Sequence, residues 1–210
     1  MKDKIITDIN DLDLSKTYTY ADYLTWRFKE RVELIMGKVF KMTPAPSRLH
    51  QEILGKIFLA IGNILSGSSC DIYPAPFDVR LPQKDGGEDT VVQPDICIVC
   101  DTSKLDEKGC DGAPDLIIEI LSPSTASKDL KEKYLIYEAA GVLEYWTVDI
   151  VDGLINVYVL NKNGKYQAYK PYTVHEKVVS RTIPGLEIEL NEIFPNLLEE
   201  PYVPYEGKRI

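Results

Sequence analysis

With 210 residues, 44% of them hydrophobic and 27% charged, the chain has the length for one domain with a proper core and the make-up of an ordinary globular protein. No apolar run approaches the roughly 18–20 residues of a membrane span, and the opening MKDKIITDINDLDLSK lacks the apolar core of a secretory signal, so a cytoplasmic protein is expected. A formal net charge of −9 argues against a simple electrostatic DNA binder, yet it leaves room for a nucleic-acid enzyme whose metal-binding acids inflate the negative count.

In chain order, residues 1–18 read as a loosely held polar arm. Tyr20, Tyr23, Leu24 and Phe28 then recur at helical spacing and predict a first helix. RVELIMGKVFKM predicts two short strands turning at Met36-Gly37-Lys38, with Glu33 on the first. In LHQEILGKIFLAIGNILSG, the stripe Ile53, Ile57, Ala60, Ile61, Ile64 and Leu65 predicts an amphipathic helix ending near Gly67. His50, in its first turn, reads as a capping or surface residue rather than a ligand. CDIYPAPFDVRLP is extended chain bent at its prolines, with Asp78 and Arg80 on one face, and a polar loop follows. The apolar runs DICIVC and DLIIEILS are strands, and the helix after them, capped around Ser122–Thr125, runs through Ala140 with Gly141 beyond its end. VLEYWTVDI is another strand of buried type, and LINVYVL and YQAYKPY flank a turn as a hairpin. A last strand and a short helix close the domain near residue 195, leaving 196–210 as a tail. The element order predicts an α/β domain over 19–195, built on one mixed sheet flanked by helices with an additional C-terminal β-hairpin.

Of the four cysteines, Cys97 and Cys100 make a CxxC, but positions three apart on a strand face opposite ways and no second pair exists. Small buried core residues without disulfides are expected.

The chemistry concentrates between Pro94 and Asp149. Alternation along DLIIEILS puts Asp115, Ile117, Glu119 and Leu121 on one face and Leu116, Ile118 and Ile120 on the other, and both faces are otherwise apolar. A carboxylate buried there needs a partner. Asp95, at the start of the preceding apolar strand, is a second acid on a strand expected to neighbour the first. Its structural alternative is a turn cap, and that of Glu119 is an ion pair with Lys133 or Arg80. Glycine-rich phosphate loops, a G-x-S-x-G elbow and H-E-x-x-H are absent, and two histidines exclude a His-rich zinc site. A carboxylate pair, a lysine and strand carbonyls remain, a hard-oxygen set that suits Mg²⁺ or Mn²⁺ and metal-assisted phosphodiester hydrolysis.

The run QPDICIV, then PDLIIEILSPST and KDLKEKYLIYEAAGVLEYWTVD, together with the upstream ELIMGKVFKMTPAPSRLHQEI, resembles the Uma-type (Uma-two) family of restriction-endonuclease-like proteins, within the PD-(D/E)XK nuclease superfamily. The resemblance covers about residues 19–185 and implies a divalent-metal nuclease fold, with Asp95 as the Pro-Asp carboxylate and Glu119 as the acid of the second strand. The superfamily's lysine stands two residues after that acid, where this chain has Leu121. The resemblance implies instead a lysine on the following helix, matched by Lys133 with Lys131 as fallback, and it gives Glu33 a supporting metal or water role. The expectation is a Mg²⁺- or Mn²⁺-dependent endonuclease acting on nucleic acid, DNA in the first instance, as a homodimer and without a membrane partner. Two alternatives stay open: a catalytically silent nuclease-fold module that binds nucleic acid or protein, and a hydrolase of small phosphodiesters.

Overall fold

The computed structural model describes residues 5–42, 46–82, 87, 89–121 and 129–195, with 129 and 130 described for backbone only. The expected cap at Ser122–Thr125 and the tail 196–210 lie outside these residues.

The first expected helix is short. α1 spans Tyr20–Tyr23 under a capping box between Thr19 and Asp22. It stops because Ile6 captures the backbone that follows: Ile6 N donates to Thr25 O at 3.2 Å and Arg27 N to Ile6 O at 2.8 Å. Within residues 5–16, Leu12 is buried in a cluster with Tyr20, Trp26, Val32, Leu34 and Val91, and Ile6 and Ile9 pack against it, while the other residues of the stretch are exposed.

β1 (Val32–Ile35) and β2 (Lys38–Lys41) form the expected hairpin. Its turn has positive φ at both Met36 (49°) and Gly37 (73°), and a Cβ on Gly37 would meet Thr17 Cβ at 2.8 Å, so glycine is required there. α2 (Arg48–Leu65) buries the predicted stripe at Ile53, Ile57, Ile61 and Leu65, while Ile64 is exposed. Strands β3 (Asp71–Pro74), β4 (Val79–Arg80), β5 (Val91–Val92), β6 (Ile96–Val99), β7 (Leu105–Asp106), β8 (Gly109–Asp111) and β9 (Leu116–Leu121) follow. A π-helical turn at Asp129–Lys133 leads into α3 (Tyr134–Ala140), which Gly141 ends at φ 88° as expected. β10 (Glu144–Asp149), β11 (Leu154–Leu160), β12 (Tyr166–Ala168), β13 (Tyr172–Thr173), β14 (Lys177–Val179), β15 (Glu187–Glu189) and α4 (Leu190–Ile193) complete the described chain.

The α/β class holds, but the strands do not make one sheet. One sheet runs β2-β1-β5-β4-β8-β7, a second β12-β11-β10-β9-β6-β3 with β13 on β11, and β14-β15 pair separately. β9 is central as its double-sided apolar pattern requires: antiparallel to β6, parallel to β10, and buried at every residue. Ile118 and Ile120 pack on α2, whereas Ile117 faces a core containing Ile136 and Tyr137 of α3 and Ile35, Val79 and Val92 of the other sheet. Two sheets thus sandwich α3-side apolar groups, and α2 covers the far face of the larger one. Alternation gives β1 one face with Val32 and Leu34 and another with Glu33 and Ile35, but does not show that the strand belongs to a different sheet from β9.

Expectation and structure also part at the cysteines. Cys97 and Cys110 are free and buried, but Cys70 and Cys100 form a disulfide. The β3–β6 register pairs Asp71 with Val99, and its continuation by one residue brings these two side by side. Pairing across 30 residues of sequence carries no local signal.

Candidate active site

Glu33, Glu119 and Lys133 converge in the space between the two sheets. β1 alternates so that Val32 and Leu34 face the N-terminal aromatic cluster, while Ile35 and Glu33 face β9 and α3. Glu119 shares the face of Ile117, beneath the turn that carries Lys133. Lys133 Nζ donates to Glu119 Oε1 at 2.8 Å and stands 3.2 Å from Glu33 Oε1. All three are nearly solvent-free, at 3% exposure for Glu33 and 4% for Glu119 and Lys133. Lys131, the fallback, points to solvent. The structure thus brings the expected acids of β1 and β9 to one lysine, and it draws that lysine from the helical turn while the strand position holds the apolar Leu121.

Two residues outside the expected set complete this cluster. Tyr137, on the packing face of α3, donates its hydroxyl to Glu119 Oε1 at 2.6 Å. Burial, then the nearby Glu119 and Glu33 carboxylates, hold that phenol well above its ordinary pKa, so it stays a donor. Gln93 donates its backbone N–H to Glu33 Oε1 at 3.1 Å, and its side chain joins Tyr23, Asp78 and Arg31. Nε2 donates to Asp78 Oδ1 at 2.7 Å, and Oε1 accepts from Arg31 Nε and Nη2 at 2.9 and 2.6 Å. Asp78 therefore borders the site through Gln93, whereas Arg80 turns away to Asp106 at 2.8 Å.

Asp95 lies immediately before β6. Continuing the β6–β9 register by one residue sets it opposite Glu119. Its Oδ2 accepts from Ile120 N at 2.8 Å and lies 3.3 Å from His50 Nε2. His50 is buried, with Ser47 Oγ capping its backbone N–H at 3.2 Å. A histidine read from sequence as a cap or surface group instead sits against the candidate acid. Its only sequence signal is the spacing to Ile53 and Ile57, which places it on the buried face of α2.

Among the described residues no three His, Cys, Asp or Glu side chains draw together as a metal cluster. The donor set nonetheless fits a hard divalent cation. Asp95 immediately precedes the strand that runs antiparallel to that of Glu119, and its side chain keeps 21% of its surface exposed. Mg²⁺ is commonly held by only one or two carboxylates, with water filling the other positions.

A relative from Synechocystis sp., the uncharacterized protein slr1290, is 25% identical over 179 residues, covering 84% of this chain and 90% of its own. The crystal structure of a putative nuclease belonging to DUF820 from Anabaena variabilis shares the fold, with a TM-score of 0.64 at 20% identity, over 85% of this chain and 98% of that one. The family model Uma2, described as "Putative restriction endonuclease", matches residues 20–191, a span containing Glu33, Asp95, Glu119 and Lys133. The chain belongs to the Uma2 family of restriction-endonuclease-type proteins.

Proposed function

We propose that this protein is an endonuclease that hydrolyses phosphodiester bonds in DNA with Mg²⁺ or Mn²⁺, using Asp95, Glu119 and Lys133, with Glu33 in support. The observation that carries the reading is the placement of Lys133 between two acids from different sheets, 2.8 Å from Glu119 and 3.2 Å from Glu33. Burying three ionisable groups is costly unless they are mutually paired, and an apolar cluster of the same volume would serve stability as well. Function gives these groups a reason to be there.

In this reading Asp95 and Glu119 hold the divalent ion from neighbouring strands. The bound ion supplies Lewis-acid polarisation of the scissile phosphate and a water of lowered pKa. Lys133 provides an ammonium beside the phosphate, where negative charge grows in the transition state. Glu33 and Tyr137 fix the positions of Lys133 and Glu119, which limits the reorganisation needed during reaction. Arg31, exposed and held by the neutral Gln93 amide rather than by a carboxylate, offers a cation to the nucleic-acid backbone at the edge of the site. A homodimer fits cutting both strands of a two-fold duplex, and light scattering giving a monomer mass for active protein refutes that part.

A second reading has its own observation. Glu119 Oε1 already accepts from both Lys133 and Tyr137, an arrangement that also suits a silent binding module. Metal-stripped protein, given back Mn²⁺, Mg²⁺ or neither, separates the two on duplex DNA, single-stranded DNA, RNA and a chromogenic phosphodiester. Metal-dependent cutting of duplex DNA supports the nuclease. Retention of DNA without cutting under every metal supports the binding module, and turnover of the chromogenic ester alone supports a small-phosphodiester hydrolase.

A further inference from the structure

We infer that His50 is a positioning residue for Asp95, gripping one carboxylate oxygen so that the other is presented to a divalent cation; this rests on the metal-dependent reading above. Asp95 Oδ2 is held from two directions. Ile120 N–H donates to it at 2.8 Å from β9, and His50 Nε2 stands 3.3 Å away on α2. Its backbone is fixed as well, with Asp95 O accepting from Ala75 N at 3.0 Å. Among the described residues, Oδ1 has no hydrogen-bond partner, and the side chain is 21% exposed. The carboxylate is therefore immobilised through one oxygen and open through the other.

The direction of the grip matters. Strand alternation gives Asp95 the α3 side of the sheet, with Cys97 and Glu119, whereas His50 belongs to α2 on the opposite face. The 3.3 Å separation places Oδ2 within reach of α2 across the end of β6. A carboxylate with one oxygen anchored cannot exchange its two oxygens by rotation, so its ligand direction is set before an ion arrives. Partners of this kind commonly change metal affinity by 10–100-fold when removed.

His50 itself is well placed for the task. It is 7% exposed, one helical turn before the buried Ile53, and its backbone N–H is capped by Ser47 Oγ.

The test is Mn²⁺ binding by calorimetry on metal-free protein without nucleic acid, for wild type, Asp95→Asn, His50→Ala and His50→Gln, with thermal unfolding of each. The expected result is uptake by wild type, its loss in Asp95→Asn, affinity weakened about 10–100-fold in folded His50→Ala, and partial recovery in His50→Gln, whose amide donates from a similar reach. In parallel, cleavage by the His50 variants needs proportionally more Mn²⁺ while its maximal rate at saturating metal is kept. A merely structural histidine lowers the unfolding temperature and leaves the affinity of the folded protein unchanged, and that outcome overturns the inference alone. Wild type without Mn²⁺ uptake overturns both the inference and the metal-dependent reading.

Discussion

Replacing Lys133 with methionine keeps most of the stem and removes the ammonium that Glu33 and Glu119 share. The three side chains are 4–6% exposed, so water cannot take over as it would at the surface, where such a pair contributes at most about 1 kcal/mol. Breaking a buried pair by deleting one partner costs about 3–5 kcal/mol, which for a chain of this size lowers the melting temperature by roughly 6–20 °C. The stranded carboxylates cause the loss, so neutralising them in Glu33→Gln/Glu119→Gln/Lys133→Met recovers a large part of it. Urea titration at neutral pH, read by tryptophan fluorescence, measures both variants. A Lys133→Met protein within about 1 kcal/mol of wild type, or a triple variant less stable than the single one, refutes a buried and mutually dependent cluster.

Other consequences follow from the same structure. Glu144 is fully buried and accepts from Trp146 Nε1 at 2.7 Å, Ser180 Oγ at 2.8 Å, Arg181 N at 2.9 Å and Thr182 N at 3.0 Å. Glu144→Ala strands these donors and costs about 3–5 kcal/mol, with amide exchange accelerating first at Arg181 and Thr182; unchanged exchange there contradicts the assignment. Burial pushes the Cys110 thiol up from 9.0 to about 11, and it raises Cys97, Tyr23 and Tyr137 above their ordinary ranges. The folded state therefore keeps protons that the unfolded chain releases. Stability is fully present below about pH 9 and declines as pH rises toward about 11, so a urea midpoint constant across that window refutes it. Unfolded, unreduced protein presents two reactive thiols and reduced protein four, because Cys70 and Cys100 are joined. Reduction opens a loop of 30 residues and lowers stability by at most about 3–4 kcal/mol on the chain-entropy account, and four thiols before reduction would contradict the bond.

The parts of the site that lie in one strand or one helix were legible in the sequence. Glu119 stood out because a charged residue between Ile118 and Ile120 has no inexpensive place in a strand covered on both faces, and β9 is buried throughout. The family resemblance then selected Lys133 over Lys131, and the helix buries the first and exposes the second. Groups that meet only through tertiary packing were not legible. Glu33, given its role only through the resemblance, reaches the cluster from a second sheet, and nothing in VELI distinguishes that arrangement from a shared one. Tyr137 reads as packing because its ring does pack, and only its hydroxyl reports on Glu119. Glu144 heads the strand EYWTVD, but apart from Trp146 the groups that cap it come from a turn some 36–38 residues onward. The same holds for His50 and for the Cys70–Cys100 bond. Period and composition describe one element at a time, whereas each of these pairings depends on how two elements are docked.

The most direct measurement is cleavage of supercoiled plasmid by wild type and by Glu119→Gln, purified identically, with Mn²⁺ or Mg²⁺ and with a chelator. The account predicts nicked or linear plasmid from wild type with metal alone, and none above background from Glu119→Gln while it remains folded. Equal products from the two folded proteins, or none from either under any metal, would contradict an endonuclease built on this carboxylate.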